Sequence, residues 1–131
     1  QIEKPGAGIA QKLNIAAGKK ALHIRCLHFA EDRPFQLEDR WINLEVVPKA
    51  KSQAFDGEGP NGWLVERVPY TDAEHVLSAT NATVEEADLL GIDAGDALFR
   101  IERRTWLQSG VVTAVVLSHP GRDYRLQSKS M

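Results

Sequence analysis

Apolar and polar residues alternate with period two over residues 21–30, 34–43 and 97–107, residues 111–119 are rich in β-branched side chains, and 72–80 also suits a strand. The turn chemistry of EDRP at 31–34, with Pro34 fixing φ, and of QSG at 108–110 folds these stretches into two antiparallel hairpins, 21–42 and 97–119. A short helix is expected from Ile9 to about Leu13, stopped near Gly18. The run TVEE at 83–86 is a capping box, predicting a helix from Val84 to about Leu90 that Gly91 ends. Between Asn43 and Tyr70 the pattern is irregular, with Pro48, the glycine-rich AFDGEGPNG and the apolar Trp63, Leu64 and Val65. It predicts short helical turns joined by loops. HPGRDYRL predicts a Pro-Gly turn and a last short strand. The pattern as a whole predicts an α+β domain on an antiparallel sheet with helices over it.

Two stretches repeat one another. AQKLNIAAGKKALHIRCLHF at 10–29 and ADLLGIDAGDALFRIERRTW at 87–106 are offset by 77 positions without a gap; Ala10, Leu13, Ile15, Ala17, Gly18 and Ile24 recur as Ala87, Leu90, Ile92, Ala94, Gly95 and Ile101. Each copy runs from a helix through a glycine turn into the first strand of a hairpin. The domain is therefore expected to be internally duplicated, with its hairpins related by a pseudo-twofold axis.

With 131 residues, 43% of them hydrophobic and 26% charged, one domain with a sizeable core is expected. The net charge of −2, with both signs interspersed, leaves no footprint for a nucleic-acid backbone or an anionic membrane. The longest apolar run, VVTAVVL, is far short of the ~20 residues that span a bilayer. The single Cys26 cannot form an internal disulfide, which fits a cytoplasmic location. The chain begins at Gln1 rather than Met, in the loop-like QIEKPGAG, as a piece of a longer protein would.

Folding the first hairpin symmetrically sets Cys26 opposite Glu38, His28 opposite Gln36 and Ile24 near Arg40, so one face carries Cys26, His28, Glu38 and Arg40. The other face takes Leu27, Phe29, Phe35, Leu37 and Trp41 as core, with Arg25 and Asp39 as a cross-strand ion pair. The second hairpin places Arg103, Thr105, Thr113, Val115 and His119 on the face equivalent to Cys26 and His28. The two polar sets would line one pocket from two sides and suit a small polar or anionic ligand. A solvated sheet surface is the competing reading. No nucleophile elbow, metalloprotease, phosphate-loop or dinucleotide signature is present, and neither Cys26 nor His75 has partners at metal-ligand spacing, so neither catalysis nor a metal or other cofactor is expected.

AEDRPFQLEDRW at 30–41, PNGWLVERV at 60–68, EEADLLGIDAGDALFRIERRTW at 85–106 and HPGRDYRL at 119–126 together resemble the UTRA domains, the effector-binding halves of GntR-type bacterial transcription regulators. The words FQLEDRWIN, PNGWLV, RRTW, VVTAVVLSHPG and YRL are most similar to members that repress histidine-utilisation genes and respond to urocanate. The resemblance implies a chorismate-lyase-like, internally duplicated fold spanning 1–131. The effector would lie between sheet and helical turns, and an N-terminal winged helix-turn-helix would contact operator DNA as a homodimer. Sugar-phosphate-sensing members carry two Arg where this chain has Cys26 and His28, so a phosphate clamp is missing. The family's second-strand Glu is matched by Glu38, and its Ser and Tyr in the helical turn correspond to Asn61 and Trp63. Its late acidic residue falls near Thr113, and its Tyr before the Gly-Asp turn falls on His119.

Urocanate joins a flat imidazole to a carboxylate. On this reading Arg40 or Arg103 takes the carboxylate, Glu38 accepts from a ring N–H and Trp63 stacks on the plane. His28, Asn61, Thr113 and His119 complete the hydrogen bonds, and the opposite orientation stays open. Binding would shift the population of domain arrangements and release DNA. The alternatives are a small lyase-type enzyme on the chorismate lyase fold and a dimerisation module without a ligand.

Overall fold

The computed structural model describes residues 1–52, 59–68 and 71–130, without the side chains of residues 52 and 65–67. The chain runs β1 (Ile2–Glu3), α1 (Ala7–Leu13), β2 (Ala21–Ala30), β3 (Arg33–Ile42), a 3-10 turn (Pro48–Ser52), α2 (Gly59–Arg67), β4 (Asp72–Asn81), α3 (Val84–Leu90), β5 (Ala97–Leu107) and β6 (Gly110–Pro120). The strands form one antiparallel sheet in the order β1-β2-β3-β6-β5-β4. Part of the glycine-rich run, 53–58, lies outside the described residues. Around it the expected helical turns are the 3-10 turn and α2.

The duplication extends well beyond the six identities. Adding 77 to the bounds of α1 (7–13) returns those of α3 (84–90). The pairs Ile2↔Leu22 and Glu3↔Ala21 become Ala79↔Phe99 and Thr80↔Leu98, which are paired in the sheet. Gly18 and Gly95 both hold a left-handed φ, +85° and +89°. Asn14 and Gly91 end the two helices in the same left-handed conformation. Even the irregularities match. The ladder slips between His28 and Phe29, leaving Phe35 as the extra residue, and between Thr105 and Trp106, leaving Val112. These positions again differ by 77. The pseudo-twofold axis passes between Asp39 and Val116, equivalent residues that face each other across the central β3–β6 pair.

Side-chain alternation divides the sheet into two faces. One is covered by α1 and α3. Leu13, Ala21, Trp41 and Ala114 form one cluster there, and Leu37, Ala82, Ala87, Leu90 and Leu98 the other. Each helix packs on the central strand of the opposite half, α1 on β6 and α3 on β3, so neither half buries its helix alone. The opposite face is covered by α2, whose Trp63 and Leu64 join Leu22, Ile42, Val47 and Val112.

The hairpin registers are those expected: Cys26↔Glu38, His28↔Gln36 and Ile24↔Arg40. The first hairpin closes through a two-residue turn in which Glu31 and Asp32 both have positive φ, 52° and 64°, the twist that matches flanking strands. Three expectations fail. Arg25 and Asp39 are cross-strand neighbours but form no ion pair; Arg25 reaches Glu85 at the start of α3 (2.8 Å) and Asp39 binds His23 (2.6 Å). The His23 ring also stacks on Trp41, which fixes it over Asp39 rather than leaving that carboxylate to Arg25. Phe29 is not core but 58% exposed, because α3 covers only the part of the strand nearer Leu27 and Leu37. No closing strand forms at 121–130, since β4, not the tail, takes the edge beside β5.

Candidate functional site

The α2-covered face can be mapped as rows running across β2, β3, β6 and β5. Leu22, Ile42, Thr113 and Thr105 form the first row; Ile24, Arg40, Val115 and Arg103 the second; Cys26, Glu38, Leu117 and Ile101 the third. His28 and Gln36, with His119 and Phe99 beyond them, begin the fourth. The apolar side chains of α2 pack on the first row, leaving the polar groups of the later rows beyond them.

Glu38 is the centre of this polar set. Arg40 Nε donates to its Oε2 at 2.6 Å, and His28 Nε2 donates to its Oε1 at 2.7 Å. Glu38 and Arg40 are only 2% and 1% exposed. Burial, the largest influence, pushes the Glu38 carboxyl up; the Arg40 charge and the hydrogen bonds from Arg40 and His28 outweigh it and hold the group below the usual carboxylate range. Arg40 Nη1 is buried and has no hydrogen-bond partner among the described residues. Cys26, half-buried beside them, has its thiol pushed up by burial and then by the Glu38 charge, partly offset by Arg40, so it is held as the thiol. Cys26 Sγ, a His28 ring nitrogen and a Glu38 oxygen all lie within 4.8 Å of one another.

The other expected residues fall into separate groups. His119 is fully buried. Its Nδ1 donates to the Phe99 carbonyl at 3.1 Å, so Nε2 is left to accept from Gln36 Nε2 at 2.9 Å. That tautomer is neutral, in keeping with burial, which pulls its pKa below the ordinary value. Tyr124 stacks on the His119 ring with centroids 3.8 Å apart. Thr113 bonds Thr105 at 2.7 Å in the first row. Arg103 Nη2 donates to Asn61 Oδ1 at 2.9 Å, tying β5 to the first turn of α2. Trp63, 3% exposed, is part of the core beneath α2.

Cys26, His28, Glu38 and Arg40 are thus brought together as expected, whereas Thr113 is committed to Thr105 and Trp63 to packing. Sequence reasoning left Gln36 and Tyr124 out of the site. Gln36 was legible as the cross-strand partner of His28; the position of Tyr124 follows only from the fold of the tail. A cavity of about 190 Å³ opens on the other face, lined in part by Lys12, Trp41, Glu74, Glu102 and Arg104. Its charges neutralise each other, with Lys12 on Glu102 (3.0 Å) and Arg104 on Glu74 (3.1 Å). It is the poorer place for an anion. None of the described helices is long and apolar enough to cross a membrane.

The sequence profile of the UTRA domain matches residues 1–125. The histidine utilization repressor of Pseudomonas aeruginosa is 36% identical over 127 residues, 97% of this chain and 51% of that protein. The repressor of the same name from Klebsiella aerogenes is 37% identical over 120 residues, 92% of this chain and 50% of its own length. The chain therefore spans about half the length of these relatives. The crystal structure of the C-terminal domain of histidine utilization repressor from Pseudomonas syringae superposes with a TM-score of 0.92 at 37% identity, covering 100% of this chain and 93% of that one. These relatives are named as repressors, in line with the missing enzyme motifs.

Proposed function

The chain belongs to the UTRA domain family, and from that premise we propose that it is the effector-binding part of a cytoplasmic repressor of histidine utilisation, responding to urocanate or a related imidazole carboxylate. The observation that carries this reading is the buried Glu38–Arg40 pair. It leaves one guanidinium donor, Nη1, without an acceptor among the described residues, beside the more open Cys26 and His28. A carboxylate would take Nη1, with Arg103 in the same row as a second cation. The imidazole N–H would donate to Glu38 Oε1 in place of His28, and Leu117 and Ile101, in the row of Glu38, would flank the planar double bond. His28 would then turn to the ligand's second ring nitrogen.

On this reading a DNA-binding winged helix-turn-helix would be attached N-terminal to the effector-binding part. Asn61 at the start of α2 is bonded to Arg103, so an anion that draws Arg103 away would loosen α2 from the sheet. That is a local two-state change able to alter how attached domains are presented. Two copies would associate through β4. Its outer edge lacks a partner strand among the described residues, and it exposes Val76 and Leu77 at 47% each. Antiparallel self-pairing about a twofold axis at Val76 sets Val76 against its own counterpart, His75 against Leu77, Glu74 against Ser78 and Asp72 against Thr80, with no like charges opposed.

Calorimetric titration of the purified chain tests the proposal. Urocanate is expected to bind saturably at one site and imidazole alone far more weakly, and His28→Ala should weaken urocanate about fivefold, the loss of one hydrogen bond contributing about 1 kcal/mol. Absence of heat and of any melting shift at millimolar urocanate would overturn it.

A further inference from the structure

We propose that Cys26, His28 and Glu38 form a binding site for a borderline divalent transition-metal ion, with Zn²⁺ as the reference ion. The three donors are a thiol, an imidazole and a carboxylate, the set that favours zinc and its neighbours over magnesium or calcium. They stand on one face of the first hairpin: Cys26 and Glu38 are direct cross-strand partners and His28 is two residues along the same face from Cys26. Their donor atoms already lie within 4.8 Å of one another. Bond lengths of about 2.0–2.3 Å around a tetrahedral ion put ligand atoms roughly 3.3–3.8 Å apart, so closure asks for about 1 Å of side-chain rotation and no backbone change.

The surroundings supply what three ligands need. Glu38 Oε2 is held by Arg40 Nε, which orients the carboxylate and keeps it ionised, while Oε1 is presented to His28. The metal would replace the hydrogen now shared between His28 Nε2 and Glu38 Oε1. Cys26 would bind as thiolate, releasing its proton to solvent, so affinity should rise with pH. Glu38 lies at the floor while Cys26 and His28 are only half-buried, so an ion has a way in and a fourth position stays open outward. With thiolate, carboxylate, Arg40 and the ion, the site carries one net positive charge, so that position suits water or an anion.

Cobalt(II) titration of the reduced chain, with no effector present, tests this. One equivalent is expected to bring up a thiolate-to-cobalt charge-transfer band in the near ultraviolet together with the intense visible bands of tetrahedral cobalt. Zinc should remove both. Cys26→Ser should abolish the charge-transfer band, and His28→Ala should weaken binding at least about tenfold, with the fold of each variant checked by circular dichroism. Failure of the band to appear at millimolar cobalt, or its survival in His28→Ala at unchanged affinity, would overturn the proposal. Because the metal is used alone, the outcome is independent of whether urocanate binds.

Discussion

Glu38 and Arg40, two residues apart on β3, form an ion pair 2.6 Å long with both side chains almost wholly withdrawn from water. Removing Arg40 leaves Glu38 buried with only the His28 hydrogen bond, and neutralising Glu38 leaves Arg40 buried without its counter-charge. Arg40→Ala is therefore expected to cost about 3–5 kcal/mol of unfolding free energy, and Glu38→Gln, which keeps shape and a hydrogen-bond acceptor, about 1–3 kcal/mol. The double replacement by apolar residues of similar volume should cost less than Arg40→Ala alone. Urea unfolding of the three variants measures this, and additive losses would contradict it.

Stability should fall in two stages on acidification. His119 is held neutral in the fold with its pKa below the ordinary 6.5, so as pH drops through 6.5 the unfolded chain takes up a proton that the folded chain refuses. Its contribution is complete above pH 6.5 and is lost below it. Glu38, lowered from 4.5, behaves alike further down: its contribution is complete above pH 4.5 and disappears as pH falls through the folded-state value. His119→Gln should flatten the upper stage and leave the lower one, as read from unfolding midpoints between pH 7 and 3 (roughly the range in which these groups titrate).

Gly18 and Gly95 occupy equivalent turns at φ +85° and +89°, and a Cβ at either would meet nothing within 4 Å. The cost of Gly→Ala is then conformational alone, about 1 kcal/mol at each site. Thermal unfolding should show near-equal losses for the two variants that add in the double variant; a large inequality would mean that the two halves differ where their backbones agree.

Association through β4 predicts that Val76→Lys or Leu77→Lys yields a monomer with an unchanged circular dichroism spectrum, since both side chains are exposed within one chain. Light scattering on the eluted protein decides it, and a variant that still dimerises would place the interface elsewhere.

With the thiol of Cys26 pushed up by burial and by Glu38, alkylation by iodoacetamide should be slower at pH 7 than that of a free cysteine, and should accelerate with pH well past the ordinary thiol range. Glu38→Gln removes the negative charge and should raise the rate at fixed pH.

Much of the fold was legible in the chain because strand alternation, turn residues and the capping box are local signals. The structure contains that capping box, with Glu86 N donating to Thr83 Oγ1 and Thr83 N to Glu86 Oε1. Symmetric folding of the hairpin was enough to set Cys26 against Glu38 and His28 against Gln36. The same reasoning failed for Arg25, because its partner Glu85 belongs to a helix that arrives from the other half of the chain.

The sequence by itself determined the α+β class, both hairpins and their registers, the 77-residue duplication and the face that gathers Cys26, His28, Glu38 and Arg40, all of which depend on neighbours along or directly across a strand. Only the tertiary structure decided that each helix seals the opposite half, that Thr113 and Trp63 are consumed by local bonding and packing, and that His119 is a neutral ring held between Gln36, Phe99 and Tyr124. Those outcomes follow from which distant segments cover which face. Burial changes what a side chain can do: it turns Glu38 and Arg40, a pair that would be solvated on an open sheet, into a committed ion pair with one donor left over among the described residues.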